Sequence, residues 1–298
     1  MKQYIFDQFL KAYKSKGENK AVLIFWSVLR KYFLGRGTFI NYTIGKFTLK
    51  MEATHILPMV MLDHPLYSQN IIQLAKVVKA KYPALSVIDI GANIGDTAAF
   101  ILSHVQTLVL CIDGSEEYIN VLEQNASKMP DVQVCFTLLG AEDTALQAQV
   151  KNHDGTAMLV ASQQEVQIQK LSTVLKKFPR FAAAKLIKVD TDGFDTLILK
   201  GSEDVLLANK PVLFFEYDPD FLKLHGEDDL SIFPFLTQCG YTKLVIWDNL
   251  GNYIGKLALS DQKGIAEMHK RYSGKHNLAF IDIAAFARED EDLTEKFG

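Results

Sequence analysis

Cysteine is scarce in this chain of 298 residues, and its spacing excludes the common structural uses of that residue. Cys111, Cys135 and Cys239 are far apart in the sequence, and none belongs to a C-x-x-C pair or a Cys/His cluster. Such spacing provides neither a disulfide framework nor the ligands of a structural zinc site. We therefore expect a reducing, cytoplasmic setting.

Long hydrophobic runs are also missing. The most apolar stretch, residues 21–34, contains Arg30 and Lys31 and is 14 residues long, whereas a membrane-spanning helix needs about 20. Residues 1–10 include Asp7 and have no sustained apolar stretch, so they do not resemble a signal peptide. The sequence thus predicts an intracellular protein with an amphipathic helix over residues 21–34.

An overall surplus of positive charge, which is typical of nucleic-acid binding, is absent: the net charge is −3. No recognised nucleic-acid-binding motif is present, and we expect no such partner. The first 50 residues nevertheless contain 10 lysines and arginines against Asp7 and Glu18, a balance of +8. This basic segment could contact an anionic membrane surface, an acidic partner or the acidic remainder of the chain, or it could be a solvated helix face with its apolar side on the core.

The most informative segment is VIDIGANIGDT, residues 87–97, where an apolar strand meets a helix. Gly91 and Gly95 lie at the turn, and glycine there permits a positive φ and close approach of a ligand. The loop G-A-N-I-G has neither the G-x-G-x-x-G spacing of a nicotinamide site nor the lysine of a P-loop. We predict contact with a nucleotide-like cofactor through Asp89, Gly91, Ala92, Asn93, Gly95, Asp96 and Thr97.

A second acidic position follows the next strand, residues 108–112, which ends in Asp113-Gly114-Ser115, 24 residues after Asp89. An isolated aspartate there is commonly a helix cap or turn residue. After a glycine turn, however, a carboxylate at this distance is placed to accept both ribose hydroxyl groups of an adenosine. By topology, the loop after the third strand is expected beside the adenine, at Gly140, Ala141 and Glu142.

Strands and helices alternate from residue 64 onward, which predicts an α/β fold with a mostly parallel sheet covered by helices on both faces. Residues 1–63 are predicted to be a helical and hairpin extension, and residues 64–298 the α/β domain. Further predicted elements are a helix at 66–80, a hairpin at 145–161, a helix at 195–207, a last strand at 278–283 and a frayed acidic tail at 288–298.

Carboxylates also follow two later strands, as expected for functional groups at the carboxyl ends of an open sheet. Asp190 and Asp192 follow one strand, and Glu216 follows another. A desolvated carboxylate has a raised pKa and can accept a proton near neutral pH, so these three are candidates for a base or for orienting an acceptor. His225 is a weaker candidate. A carboxylate pair could instead hold a divalent cation, but the spacing is unspecific and we assign no metal.

Four segments in this order, IDIGANIGD, CIDGSE, LIKVDTDGFDTLILKGSEDVL and PVLFFEYDP, resemble the FkbM-type family of S-adenosylmethionine-dependent methyltransferases of class I. The resemblance extends over roughly residues 64–245. It implies a seven-stranded Rossmann-like sheet and S-adenosylmethionine as methyl donor, with its methionine end at Gly91–Gly95 and near Asp190. It also implies O-methylation of a hydroxyl group on a sugar, polyketide or other secondary metabolite.

The chain departs from the family pattern at two places. The family usually has Glu-Pro where this chain has Asp113-Gly114, and Asp-x-Glu-Gly-x-Glu where it has residues 190–195. Each exchange shortens a carboxylate side chain by one methylene. A cofactor-binding scaffold without catalytic turnover therefore remains as an alternative. A nucleotide-dependent oxidoreductase is a further alternative, which the missing G-x-G-x-x-G spacing disfavours.

Overall fold

The computed structural model describes residues 1–15, 19–153, 156–224, 226, 230–274 and 280–298, with the backbone alone for residues 148–164. These residues form a central eight-stranded sheet, a two-stranded sheet and a three-stranded sheet. The tip of the hairpin predicted at 145–161 and the candidate His225 lie outside the described residues.

The N-terminal region begins with two helices and a hairpin, as the sequence predicts. The structure has α1 at Lys2–Lys14, α2 at Lys20–Phe33, β1 at Phe39–Ile44, β2 at Phe47–Glu52 and, unpredicted, α3 at Leu57–Asp63. The hairpin turns at Gly45, where φ is 55° and a Cβ would lie 2.0 Å from Ser103 Oγ. Only glycine fits this turn, which brings the hairpin against the rest of the protein.

Alternating strands and helices make up the remainder. The strands are β3 Ser86–Ile90, β4 Leu108–Asp113, β5 Val132–Phe136, β6 Leu138–Leu139, β7 Thr144–His153, β8 Thr156–Gln169, β9 Leu186–Val189, β10 Val212–Tyr217, β11 Tyr241–Asp248, β12 Tyr253–Ala258 and β13 Ile281–Ala287. The helices are α4 Gln69–Lys81, α5 Asp96–His104, α6 Glu116–Ala126, α7 Leu171–Lys177, α8 Asp195–Gly201, α9 Glu203–Asn209, α10 Pro219–Leu224, α11 Ile232–Gln238 and α12 Gln262–Tyr272.

The central sheet has the order β12-β11-β13-β10-β9-β3-β4-β5. The run from β10 to β5 is parallel, whereas β13 is antiparallel to both β10 and β11. The predicted number of seven strands is wrong by one, because β12 adds an antiparallel edge strand. Asp248 folds this strand back on β11: its Oδ1 accepts hydrogen bonds from the N–H groups of Leu250 and Asn252 at 3.0 and 2.8 Å.

Helices cover both faces of the sheet, which confirms the predicted α/β architecture. Alternate strand residues face opposite cores: Val87 and Cys111 pack with α4, α5, α6 and the N-terminal hairpin, whereas Ile88 and Leu110 pack with α7, α8, α9, α11 and α12. Because side chains alternate along a strand, paired residues of adjacent strands lie on the same face of the sheet.

Three predicted element boundaries differ from the structure. The helix expected at 66–80 begins at Gln69, after Ser68 adopts a φ of 60°. The helix expected at 195–207 is divided at Ser202, whose side chain returns a hydrogen bond to Ile198 O at 2.7 Å. The last strand spans Ile281–Ala287 rather than 278–283, and its expected beginning lies outside the described residues.

The acidic C-terminal segment is a packed 3-10 helix, Arg288–Lys296, and the predicted frayed tail is wrong. Asp290 is buried, with its carboxylate 2.9 Å from Lys81 Nζ and 2.7 Å from the donating Tyr82 hydroxyl. Phe297 packs edge to face on Trp247. Lys81 of α4 therefore pairs with the buried carboxylate of this segment, and its residues Leu293 and Phe297 are buried.

Among the described residues, no helix is both long enough and apolar enough to cross a membrane.

Candidate functional site

The glycine loop connects β3 to α5 in a conformation that requires glycine. Gly91 has a φ of 74°, and a Cβ there would lie 1.7 Å from the carbonyl oxygen of Asp190. The N–H groups of Gly91 and Ala92 both donate to Ile112 O, at 2.9 and 3.2 Å. Because these N–H groups are already used, the first part of the loop is not a phosphate cradle.

Asp113 lies at the carboxyl end of β4 beside this loop. Its Oδ2 accepts a hydrogen bond from the Asn93 N–H at 2.7 Å, and its Oδ1 accepts one from the Ser115 N–H at 2.8 Å. Burial raises the pKa of Asp113, and these two backbone donors oppose that shift. A carboxylate has about four acceptor positions, so each oxygen can still accept a ligand hydroxyl group.

Asn93 contributes a second polar atom at this point. The residue has a φ of 49°, and its Oδ1 is buried without a hydrogen-bond partner among the described residues. Leaving a buried acceptor unpaired costs about 1–3 kcal/mol. This atom is therefore a ready acceptor for a ligand donor.

The loop expected beside the adenine is held by close contacts. A Cβ on Gly140 would lie 2.6 Å from Ile168 Cγ2, and one on Gly201 would lie 2.4 Å from Gly140 O. Across the cleft, a Cβ on Gly114 would lie 2.1 Å from Leu138 Cδ2. Gly114, which replaces the proline of the family pattern, thus leaves room for the Leu138 side chain.

These segments enclose a cleft of about 410 Å³, a volume within the range of about 300–1,000 Å³ usual for small-molecule sites. The three-stranded sheet forms one wall, through Leu146 and Ile168, and Tyr118 and Phe194 add aromatic surface. The predicted hairpin at 145–161 is therefore part of the cleft. The predicted site residues that line it are Gly91, Asn93, Asp113, Gly114, Ser115, Gly140, Ala141, Glu142, Asp190 and Asp192.

The other predicted site residues do not line this cleft. Ala92 is buried in the core beneath the loop, and Gly95 faces Leu122. Asp96 and Thr97 begin α5. Asp89 and Glu216 lie on their strands under the charged edge described next, so their roles in binding or catalysis stay predictions.

A buried lysine connects two of the predicted carboxylates. Lys188 Nζ lies 3.1 Å from Asp89 Oδ1 and 3.2 Å from Asp190 Oδ2, and its side chain is only 7% exposed. Burial alone would lower the pKa of Lys188, but Asp190, Asp89 and Asp96 hold it well above its usual value. Burial raises the pKa of Asp89 to about 6 despite this lysine. The ion pair fixes Asp190 at the mouth of the cleft, where its side chain is 48% exposed.

Three carboxylates lie side by side at the ends of β9, β10 and β13. Glu216 is directly opposite Asp282 in the antiparallel register, and Asp190 follows β9 on the other side of β10. Burial raises the pKa of Glu216 well above its usual value, and repulsion by Asp190, Asp195 and Asp282 adds to the shift. Burial and Asp190 also raise the pKa of Asp282 to about 8. Asp282 therefore retains its proton near neutral pH.

Asp195 is the first residue of α8, and its carboxylate binds the loop that precedes the helix. Its Oδ2 accepts hydrogen bonds from the Gly193 N–H at 3.2 Å and from the Thr191 N–H and hydroxyl at 3.4 and 3.3 Å. The carboxylate thereby closes the loop that carries Asp192, whose φ is 52°. This confirms its predicted place in the first turn of the helix.

Sequence reasoning missed four residues around this edge. They are Lys188, Asp282, Asn70, which donates to Asp282 Oδ2 at 2.8 Å, and Tyr67, whose pKa is raised by burial and by Asp96, Asp190 and Asp282. A lysine within LIKV and an aspartate within FIDIAAFA are charged residues inside apolar strands, and that pattern could have identified the first two. Asn70 and Tyr67 gave no such signal.

Comparison with solved structures gives neighbours of low similarity. The methyltransferase FkbM from Methylobacillus flagellatus KT is 18% identical with a TM-score of 0.37 over 54% of this chain and 39% of its own. This chain thus covers about two fifths of that protein. The N-methyltransferase NodS from Bradyrhizobium japonicum WM9 is 12% identical with a TM-score of 0.41, over 76% of this chain and 97% of its own. Precorrin-6y C5,15-methyltransferase from Geobacter metallireducens GS-15 is 13% identical with a TM-score of 0.39, over 72% and 88%.

The sequence matches none of the curated proteins with which we compared it. It does match the family described as the methyltransferase FkbM domain, over residues 89–243. The matched region begins at Asp89 in the glycine-loop strand and includes both Asp113 and Glu216. Because the match extends over slightly more than half of its residues, the chain belongs to the FkbM methyltransferase family.

Proposed function

We propose that this methyltransferase uses S-adenosylmethionine and transfers its methyl group to a hydroxyl group of a sugar or secondary metabolite. The observation that carries the cofactor assignment is the position of Asp113. Its buried carboxylate lies in the cleft between the glycine loop and the Gly140 loop and has acceptor positions left for two ribose hydroxyl groups.

The residues of the cleft fit the parts of this cofactor. Asp113 would hold the ribose, and Gly140, Ala141 and Glu142 would lie along the adenine. Asn93 Oδ1, buried and unpaired among the residues described, offers an acceptor beside the loop that would hold the methionine end. The bound cofactor supplies a methyl group that is already activated on a sulfonium sulfur.

The contribution of the protein to the reaction is then orientation and proton acceptance. The cleft would have to orient an acceptor hydroxyl group toward that methyl group and exclude water. The hydroxyl group would have to give up its proton to a base of the protein. Asp190 and Asp192 line the cleft and are the proposed bases.

Glu216 does not line the cleft, so it is not proposed as the base. Burial and neighbouring carboxylates raise its pKa well above the usual value. Its proposed role is to orient the acceptor. Lys188 is a positioning residue, because it contacts Asp190 at 3.2 Å and does not line the cleft.

Calorimetry with S-adenosylmethionine tests the cofactor assignment. We expect Asp113→Ala to weaken binding about 100-fold, since each of two hydrogen bonds to a charged group contributes roughly 1.5 kcal/mol. Asp113→Glu restores the family residue and should retain binding within about tenfold. Asp131→Ala, remote from the cleft, is the matched control. Equal affinity of the alanine variant and the parent would overturn the ribose assignment.

Release of S-adenosylhomocysteine against a panel of hydroxyl-bearing acceptors tests the reaction. Asp190→Asn and Asp192→Asn should each lower turnover roughly 100-fold or more through loss of the base, and Asp192→Asn should still bind the cofactor normally. Cofactor binding without turnover on any acceptor would favour the scaffold alternative. Binding of a nicotinamide nucleotide instead would favour the oxidoreductase, although the loop N–H groups bonded to Ile112 O argue against a phosphate site.

A further inference from the structure

Helix α2 presents apolar side chains to solvent. None of its 14 residues is buried. The exposed fractions are 63% for Ile24, 56% for Phe25, 60% for Val28 and 81% for Tyr32. These residues recur at spacings of three and four and therefore form one face of the helix. An ordinary surface helix turns this face toward the core.

Side chains on the opposite side of α2 attach the helix to the rest of the protein. The apolar face is therefore exposed on a helix that is packed in place. Arg30 donates to Ala53 O at 3.0 Å through Nη2, and its guanidinium lies 4.6 Å from the centre of the Phe9 ring. Trp26 packs edge to face on Tyr4 of α1 at 6.0 Å. These contacts fix the rotation of α2 with its apolar face outward.

Helix α2 is too short to cross a lipid bilayer. Its 14 residues span about 21 Å at 1.5 Å per residue, less than the roughly 30 Å of a bilayer interior. A helix of this kind can lie in the plane of a membrane surface with its apolar face among the acyl chains. Tyr32 and Phe25 have the aromatic side chains that suit the interface.

Charge favours an anionic partner for this surface. The first 50 residues carry a balance of +8, whereas the whole chain is at −3. Lys20 and Lys31 border the apolar face, because Ile24 is four residues after Lys20 and Val28 is three before Lys31. In a two-fold dimer through this face, the same lysines would approach their copies. A second copy is therefore a poorer fit than an anionic surface.

We propose that the apolar face of α2, formed by Ile24, Phe25, Val28 and Tyr32, docks the protein on an anionic lipid bilayer. Hydrophobic insertion supplies part of the binding, and Lys20 and Lys31 supply attraction to lipid head groups. Beneath α2, Leu23 lines a groove together with Met59 and His64 of the neighbouring segment.

Sedimentation of the full chain with vesicles tests this proposal. Vesicles of phosphatidylcholine with about 30% phosphatidylglycerol should bind the protein, and raising the salt from about 0.05 M to about 0.5 M should weaken binding at least about tenfold. The variant Ile24→Gln/Phe25→Gln/Val28→Gln should lose at least about tenfold in affinity. Lys20→Gln/Lys31→Gln should lose about tenfold at low salt and little at high salt.

Two controls distinguish docking through α2 from a general effect of removing exposed apolar side chains and from misfolding of the variants. Leu207→Gln removes an exposed apolar side chain from another helix and should bind vesicles like the parent. The melting temperature of each variant should stay within a few degrees of the parent, since surface changes usually cost under about 0.5 kcal/mol.

Three results would overturn the proposal. They are a parent that fails to bind anionic vesicles, a triple glutamine variant that binds as well as the parent, and binding that is equal on pure phosphatidylcholine. A dimer in analytical ultracentrifugation that the triple variant abolishes, without vesicle binding, would assign the face to a second copy instead.

Discussion

The carbonyl oxygen of Asp190 lies where a side chain at position 91 would begin. We expect Gly91→Ala to lower the free energy of unfolding by roughly 2–5 kcal/mol, as left-handed strain and overpacking act together. Gly37→Ala is the matched control, because Gly37 has a φ of 75° and no neighbour within 4 Å. Denaturant titration should show only about 1–2 kcal/mol of strain for the control. Equal losses would show that contact with Asp190 is unimportant.

Asp282 should make stability depend on pH. Its pKa is raised from 3.8 to about 8, so the folded state holds a proton that the unfolded state releases between these values. The contribution of Asp282 to the free energy of unfolding is therefore fully present at low pH and decreases as the pH rises toward 8. Asp282→Asn should therefore show a smaller fall in unfolding free energy between pH about 5 and about 9.

The asparagine variant keeps an acceptor for Asn70, so the hydrogen bond at this position can remain. Chemical denaturation at a series of pH values measures the effect, with Asp131→Asn as the control for charge removal elsewhere. A parent and variant with parallel pH profiles would contradict the raised pKa of Asp282.

At the scale of elements, the C-terminal segment packs against β11 and β13 of the central sheet. Phe297 is 4% exposed and contacts the rings of Trp247 and Phe286, with centroids 5.4 and 6.2 Å apart. We expect Phe297→Ala to cost about 3 kcal/mol, as removal of a buried aromatic side chain usually does. Leu207→Ala, on an exposed helix surface, should cost far less. A loss below about 1 kcal/mol for Phe297→Ala in thermal unfolding would mean that the segment frays after all.

At the scale of the whole molecule, Asn125 of α6 connects the N-terminal hairpin with the glycine loop. Its amide donates to Lys50 O and Ile94 O, both at 2.9 Å, and its Oδ1 accepts from the Lys50 N–H at 2.7 Å. Ile44 and Leu49 of the hairpin belong to the same buried cluster as Val87 of β3. These contacts favour one cooperative unit over two.

We therefore expect Asn125→Ala to lower stability by about 2–4 kcal/mol, because one buried and two partly buried backbone groups lose their partner. Calorimetry should show a single unfolding transition for parent and variant. Asn41→Ala is a control in which no buried amide network is removed, since Asn41 is exposed on the outer side of β1. Two separate transitions would instead favour independent extension and domain units at the predicted boundary near residue 63.

Much of the fold followed from local sequence patterns. The apolar run before Gly91 and the helical spacing after Asp96 are set by neighbouring residues, and the strand and helix lie where those patterns predict them. Asp113 was found because its distance from the glycine turn is a property of a βαβ unit. The family resemblance implied seven strands where the central sheet has eight. The packed C-terminal segment was missed because it depends on partners far away in the sequence, such as Lys81 for Asp290.

The sequence by itself determined the alternation of strands and helices, the family and the candidate residues of the glycine loop, because these are encoded over short spans. Tertiary structure alone decided which carboxylates meet. Glu216 and Asp282 are opposite each other through strand register, and Lys188 lies between Asp89 and Asp190 through the order of β3 and β9. It also decided that α2 turns its apolar face outward, since helical periodicity defines a face but only packing decides where that face points.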